Sequence, residues 1–104
     1  MAAKQEEKTV DEELSVRVIH KEANDEMHQF AVETAGAAYS SLVKGEKLHM
    51  KDLAEEVKKE FDAKYGGTWH VIVGKSFGSF VSHEVQCITY FFIGQVGFLI
   101  FKHG

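Results

Sequence analysis

The residue types in this 104-residue chain that could carry out chemistry gather between Gly74 and Cys87. Cys87 is the only cysteine, and His83 and Glu84 precede it closely, which offers a nucleophile, a base and an orienting carboxylate. Covalent catalysis needs those groups in contact, and four residues along a turn and a strand do not ensure it. A free cysteine in an apolar strand is more often a small hydrophobe. The six histidines His20, His28, His49, His70, His83 and His103 show no His-x-x-x-His spacing or similar ligand pattern. No metal or other cofactor is therefore expected. Gly74-Lys75-Ser76 shares letters with a phosphate loop, but the upstream glycine and the following helix are missing.

The same segment suits recognition better than catalysis. In strand alternation Phe77, Ser79, Val81 and His83 point one way, and Ser76, Gly78, Phe80, Ser82 and Glu84 the other. Aromatic and hydroxylated residues interleave, and Gly78 admits a close backbone approach. This composition fits an ordinary edge strand with an exposed hydroxyl face. It is also compatible with an edge that takes another chain as an added strand, though on these residues alone the ordinary edge strand is the simpler reading. His70, beside Trp69, is either a satisfied structural histidine or a switch.

Elements to position these residues can be read along the chain. Val16 to His20 is a β-branched run and reads as a strand. Asn24 is a good N-cap, with Asp25 and Glu26 at the positive end of a helix dipole. Met27, Phe30, Ala31, Ala35, Ala38 and Leu42 recur at helical spacing until Gly45. A second helix is predicted from about Lys51 to Tyr65, with Leu53, Ala54, Val57 and Phe61 inward and Glu55, Glu56, Lys58, Lys59 and Glu60 on the solvated face. Gly66-Gly67 ends it. Four strands follow: Trp69–Val73, Phe77–His83, Cys87–Ile93 and Val96–Lys102, the last two joined by a Gly94-Gln95 hairpin turn. The fold class is α+β, two helices packed on an antiparallel sheet.

Composition narrows the function. The chain is 44% hydrophobic and 27% charged, an ordinary globular balance for one domain. Its net charge of −4 argues against a broad nucleic-acid surface. Residues 1–14 hold two lysines against five acids, so residues 1–15 are expected to be a disordered acidic tail and residues 16–104 the domain. The opening MAAKQEEKTVDEEL has no apolar stretch of the kind a secretory signal needs. The run Ile88–Phe101 is interrupted and too short for a membrane helix. A soluble, cytosolic protein is expected.

Lys58-Lys59-Glu60-Phe61-Asp62, Tyr65, Thr68-Trp69-His70, Ile72-Val73-Gly74, Phe77-Gly78-Ser79, His83-Glu84, Tyr90-Phe91, Gly94-Gln95-Val96 and Phe101-Lys102 form one collinear string. It closely resembles the eight-kilodalton dynein light chains, from about Val16 to Gly104. The resemblance implies a non-catalytic symmetric homodimer in which the strand Phe77–His83 crosses into the other protomer's sheet. Extended peptides would then add along that strand. They are often built around Thr-Gln-Thr and belong to the dynein intermediate chain and other disordered partners. By position, Ser76, Phe77, Gly78, Ser79, Phe80, Val81, Ser82 and His83 would line the groove. Lys51 would meet the target glutamine, and Ile88, Tyr90, Phe92 and Gly97 would form the floor. His70, Phe77, Ser79 and Val81 would lie at the dimer interface. The resemblance also implies a cytoplasmic, microtubule-associated setting, with neither nucleic acid nor membrane as partner.

Several positions depart from that pattern. Met50 stands where an acidic residue usually precedes the groove lysine, which weakens polar capture of glutamine. Phe80 replaces a common tyrosine, Ser82 a frequent threonine, and Gly66-Gly67 an Asn-Pro turn. Residues are added around Val43–His49, and His103 occupies the place of a phosphorylatable serine. These changes define an alternative, a divergent light chain dedicated to one dynein or structural complex.

Overall fold

The computed structural model describes residues 15–47, 49–75 and 87–104. The acidic tail over 1–14 and the strand expected at Phe77–His83 lie outside the described residues. Six elements run in the order β1 (Val16–Lys21), α1 (Asp25–Val43), α2 (Met50–Tyr65), β2 (Trp69–Gly74), β3 (Ile88–Ile93) and β4 (Val96–Lys102). The strands make one antiparallel sheet in the order β1-β3-β4-β2.

Helix α1 starts where its cap dictates. The Asn24 side-chain oxygen accepts a 2.8 Å hydrogen bond from the Met27 amide, and Asp25 and Glu26 occupy the first turn. Its inner face is built of small residues, Ala31, Ala35, Gly36 and Ala38, all buried. Small side chains let the helix axis come close to its neighbours. The helix stops at Gly45, whose φ of +82° is the left-handed conformation that favours glycine.

Helix α2 buries Leu53, Val57 and Phe61 completely, one residue per turn. Its end is held by aromatic packing. Phe61 packs at a tilt against Trp69 at 4.8 Å between ring centroids and edge-to-face against Phe30 at 5.1 Å, and Tyr65 lies 5.9 Å from Trp69. Gly66 then takes a φ of +71°, turning the chain toward β2.

The sheet has two different faces. Trp69, Phe91, Ile93, Val96, Phe98 and Ile100 join Leu53, Val57, Phe61 and the α1 alanines in the main core. Strand alternation sends Ile88, Leu99 and Phe101 into a second cluster with Ile72 and Tyr90. A sheet apolar on both sides, with its helices packed into one core only, sets the geometry of the site.

Candidate functional site

Three of the four expected floor residues are alternate positions of β3, and the fourth faces them across the ladder. Ile88, Tyr90 and Phe92 share one side of the strand, and the register pairs Phe92 with Gly97, Tyr90 with Leu99 and Ile88 with Phe101. Ile88 is buried, while Tyr90 and Phe92 are half-buried. Gly97 is there for contact rather than for turning. A Cβ on it would stand 3.0 to 3.3 Å from three atoms of the Phe92 ring tip, so the missing side chain lets that ring lie against β4.

Strand β1 supplies the rim beside Phe92. Arg17 pairs with Phe92 in the register, and its guanidinium carbon lies 4.8 Å from the ring centroid, a cation–π distance. Further along, His20 pairs with Tyr90, and its Nε2 is 3.0 Å from the Glu22 carboxylate. The Glu22 amide donates to the Ile88 carbonyl at 2.9 Å. The rim is therefore cationic at the Phe92 end and carries a carboxylate at the Ile88 end.

At the opposite edge, β2 places His70 next to Phe101. The imidazole stacks on that ring at 5.2 Å, and its Nε2 is 3.0 Å from the His103 carbonyl oxygen. A carbonyl can only accept, so Nε2 carries the proton and donates. His70 is exposed in the chain.

A polar clamp fixes where β2 begins. Asp62 accepts from the Lys58 ammonium at 2.8 Å and from the Trp69 amide at 3.2 Å. The same ammonium donates to the Trp69 carbonyl at 2.9 Å, and the Trp69 indole N–H donates to the Gly66 carbonyl at 2.9 Å. The hydrogen bond from Lys58 holds the Asp62 carboxyl below the usual carboxylate range; burial opposes this and the Trp69 amide reinforces it. Lys58, expected on the solvated face of its helix, keeps a side chain that is 44% exposed while its ammonium ties α2 to β2. Its spacing of four from Asp62 was the available signal.

A second buried polar contact lies on the core side. His28 Nδ1 is 2.7 Å from the Thr89 hydroxyl, which is 2% exposed, and the imidazole meets Phe91 edge-on at 5.8 Å. Burial lowers the His28 pKa, the nearby Lys21 charge lowers it further, and Asp25 opposes both.

Lys51 is exposed in the first turn of α2, and among the described residues no carboxylate forms a salt bridge with it. Met50 instead packs against the core. The N-cap residue His49 makes no side-chain capping bond, and its carbonyl accepts from the Asp52 amide at 3.1 Å. Groove-wall residues Ser76, Phe77, Gly78, Ser79, Phe80, Val81, Ser82 and His83 lie outside the described residues. Cys87 is partly buried at the edge of the main core. Among the described residues no three His, Cys, Asp or Glu side chains cluster as metal ligands, and no helix is long and apolar enough to cross a membrane.

The fold is that of solved dynein light chain-like domains. The dynein light chain-like domain of the calcium-binding protein FhCaBP2 of Fasciola hepatica superposes with a TM-score of 0.74 at 21% identity, over 90% of this chain and 96% of that one. The corresponding domain of CsTAL3 gives 0.61 at 18% identity, over 84% and 90%. At those identities the likeness speaks for the fold alone. Sequence carries the assignment further, because the family of dynein light chain type 1 matches residues 15–103. The chain belongs to the dynein light chain family. It is also 67% identical over 54 residues to a protein of Debaryomyces hansenii named cytoplasmic dynein light chain 1. That stretch spans 52% of this chain and 59% of the relative's length.

Proposed function

We propose that the chain is a non-catalytic dynein light chain that acts as a homodimer and takes short linear motifs of disordered partners as added strands. The observation that carries this reading is the second apolar cluster, centred on Ile88, Leu99 and Phe101 and continued by the half-buried Tyr90 and Phe92. Of the two sheet edges, β1 is interrupted by a bulge between Val18 and His20, which blunts strand pairing. Strand β2 is regular over all six residues, and among the described residues it pairs only with β4. Its outer edge is thus the better template for the crossing strand Phe77–His83 of a second copy.

In the resulting groove, main-chain hydrogen bonds along Ser76–His83 supply affinity without regard to sequence, and alternate side chains of the target meet the floor. Glutamine of a Thr-Gln-Thr motif would be taken at the start of α2 by Lys51. Two grooves on one dimer bind two copies of a partner, and the second binding event proceeds at raised effective concentration. The dynein intermediate chain and other Thr-Gln-Thr-bearing proteins are the expected partners. The name of the Debaryomyces relative supports a cytoplasmic, microtubule-associated setting.

One observation favours a narrower variant of this reading. Met50 packs on the core and brings no carboxylate to Lys51, so a dedicated light chain with its own motif preference is the second reading. Calorimetric titration with a Thr-Gln-Thr peptide, with sedimentation reporting the dimer, tests both. The expected result is one peptide per protomer. No binding at sub-millimolar concentration would transfer the case to the dedicated variant, and a monomer at all concentrations would defeat both.

A further inference from the structure

We infer that Arg17 is a specificity-determining residue of the groove, reading an acidic side chain that flanks the bound motif at the Phe92 end. The inference rests on the peptide-binding reading above and adds to it the charge pattern of the ligand. Three residues build the feature. Gly97 leaves room for the Phe92 ring tip, where a Cβ would approach within 3.0 Å. The ring so placed presents its face to Arg17, whose guanidinium carbon stands 4.8 Å from the centroid. The ring fixes where the guanidinium lies.

No carboxylate among the described residues forms a salt bridge with Arg17. The carboxylates nearest in sequence are engaged elsewhere: Asp25 meets Lys21 at 2.6 Å, and Glu22 lies against His20. Among the described residues Arg17 thus has no carboxylate partner and rests on the Phe92 ring at one end of the floor, and Glu22, beside His20, marks the other end with opposite charge. A carboxylate fits the first end, since a planar guanidinium matches its two oxygens. At the Ile88 end the same carboxylate meets Glu22 and is disfavoured. The floor therefore has an electrostatic direction as well as an apolar surface.

The test uses the full chain and a set of Thr-Gln-Thr peptides in which a single aspartate is moved, one position at a time, through both flanks. Wild type should favour aspartate over asparagine by about three- to five-fold at one or two adjacent positions in one flank, the range of an exposed charge pair. The preference should fade in high salt. Arg17→Gln should abolish it while leaving affinity for the neutral-flank peptide within about two-fold, and Arg17→Lys should keep part of it. Sedimentation of Arg17→Gln at the working concentration should show the same dimer as wild type. A flat aspartate scan, or a preference that survives Arg17→Gln, overturns the assignment. Loss of the dimer in Arg17→Gln also overturns it, by placing the residue in the subunit contact. Failure of every peptide to bind is a different outcome, which removes the peptide-binding reading itself.

Discussion

Gly97→Ala separates folding from binding in a way that the geometry makes quantitative. The added methyl would stand 3.0, 3.1 and 3.3 Å from three atoms of the Phe92 ring, all on its tip. A half-buried ring can swing by a few tenths of an ångström, at a rotamer cost of about 0.5–1.5 kcal/mol. Against this, alanine in a strand interior gains about 0.5–1 kcal/mol over glycine by restricting the unfolded chain. The two effects nearly cancel, so folding stability should change by less than about 1 kcal/mol. Binding should not be spared, because the displaced ring belongs to the proposed floor and orients Arg17. A three- to ten-fold loss for a Thr-Gln-Thr peptide, about 0.7–1.4 kcal/mol, is expected. Urea denaturation at one fixed protein concentration reads the first quantity, since a dimer's midpoint depends on concentration. Calorimetry reads the second. In a Phe92→Ala background the Gly97→Ala change should cost no further affinity, the signature of two residues acting through one contact. Additive losses in that cycle would refute the reasoning, as would a drop in stability beyond about 2 kcal/mol.

Other positions give shorter tests. Lys51→Ala should weaken a Thr-Gln-Thr peptide by about ten-fold, roughly 1–2 kcal/mol, and leave a peptide with glutamine replaced by alanine nearly unaffected; equal losses for both peptides in calorimetry would argue against glutamine capture there. His70→Lys places a fixed charge on both sides of the proposed two-fold contact, so sedimentation at neutral pH should find monomers, and an unchanged dimer would remove His70 from the interface. Burial disfavours charged His28, so its folded pKa lies below the ordinary 6.5. The stability that neutral His28 contributes is therefore complete above about pH 6.5 and declines as pH falls through the lower folded value. His28→Gln should flatten that decline in urea midpoints measured between pH 7.5 and 5 in steps of about half a unit. Persistence of the full decline in the variant would assign it to another group.

Local signals made most of the frame legible. Asn24 before Asp25 and Glu26 located the start of α1, and the Leu53, Val57, Phe61 spacing placed α2's buried stripe, because caps and helical periodicity act within a few residues. Gly94-Gln95 between two apolar runs gave the β3–β4 hairpin for the same reason. The sheet order was a different matter. That β3 lies between β1 and β4 depends on β1–β3 pairings between residues more than sixty positions apart, and β2 reaches the far edge through pairings with β4 that skip over β3 in sequence, neither of which a local pattern encodes. The neighbours that depend on this order escaped notice too: Arg17 against Phe92, and His28 against Thr89. Lys58 does lie partly in solvent on the outer face of α2, its side chain 44% exposed, but its charge gave no hint of the partners at the end of that side chain. The Asp62 carboxylate and the Trp69 carbonyl satisfy its ammonium within the fold.

That clamp bears on function through geometry. A strand can be added to a sheet only where the edge holds a fixed register, since a slip of one residue turns every side chain to the wrong face. Strand β2 is the edge proposed to receive the crossing strand, and its first residue is held by backbone and indole bonds at once. Asp62 takes the Trp69 amide, Lys58 takes the Trp69 carbonyl, and Gly66 takes the indole N–H. From that anchor β2 runs in unbroken register with β4 as far as Gly74, the residue that leads toward Ser76. The resemblance string Lys58-Lys59-Glu60-Phe61-Asp62 with Thr68-Trp69-His70 thus has a mechanical meaning. Phe61 and Trp69 supply the apolar stack, Lys58 and Asp62 fix the strand's entry, and His70 is carried to the face beside Phe101. On the proposed reading, a loosened clamp would act at a distance. Asp62→Asn should lower affinity for every motif alike and leave the aspartate-scan preference intact, because the edge that supplies main-chain bonds is disturbed while Arg17 is not. A loss confined to acidic-flank peptides would contradict that division between edge and rim.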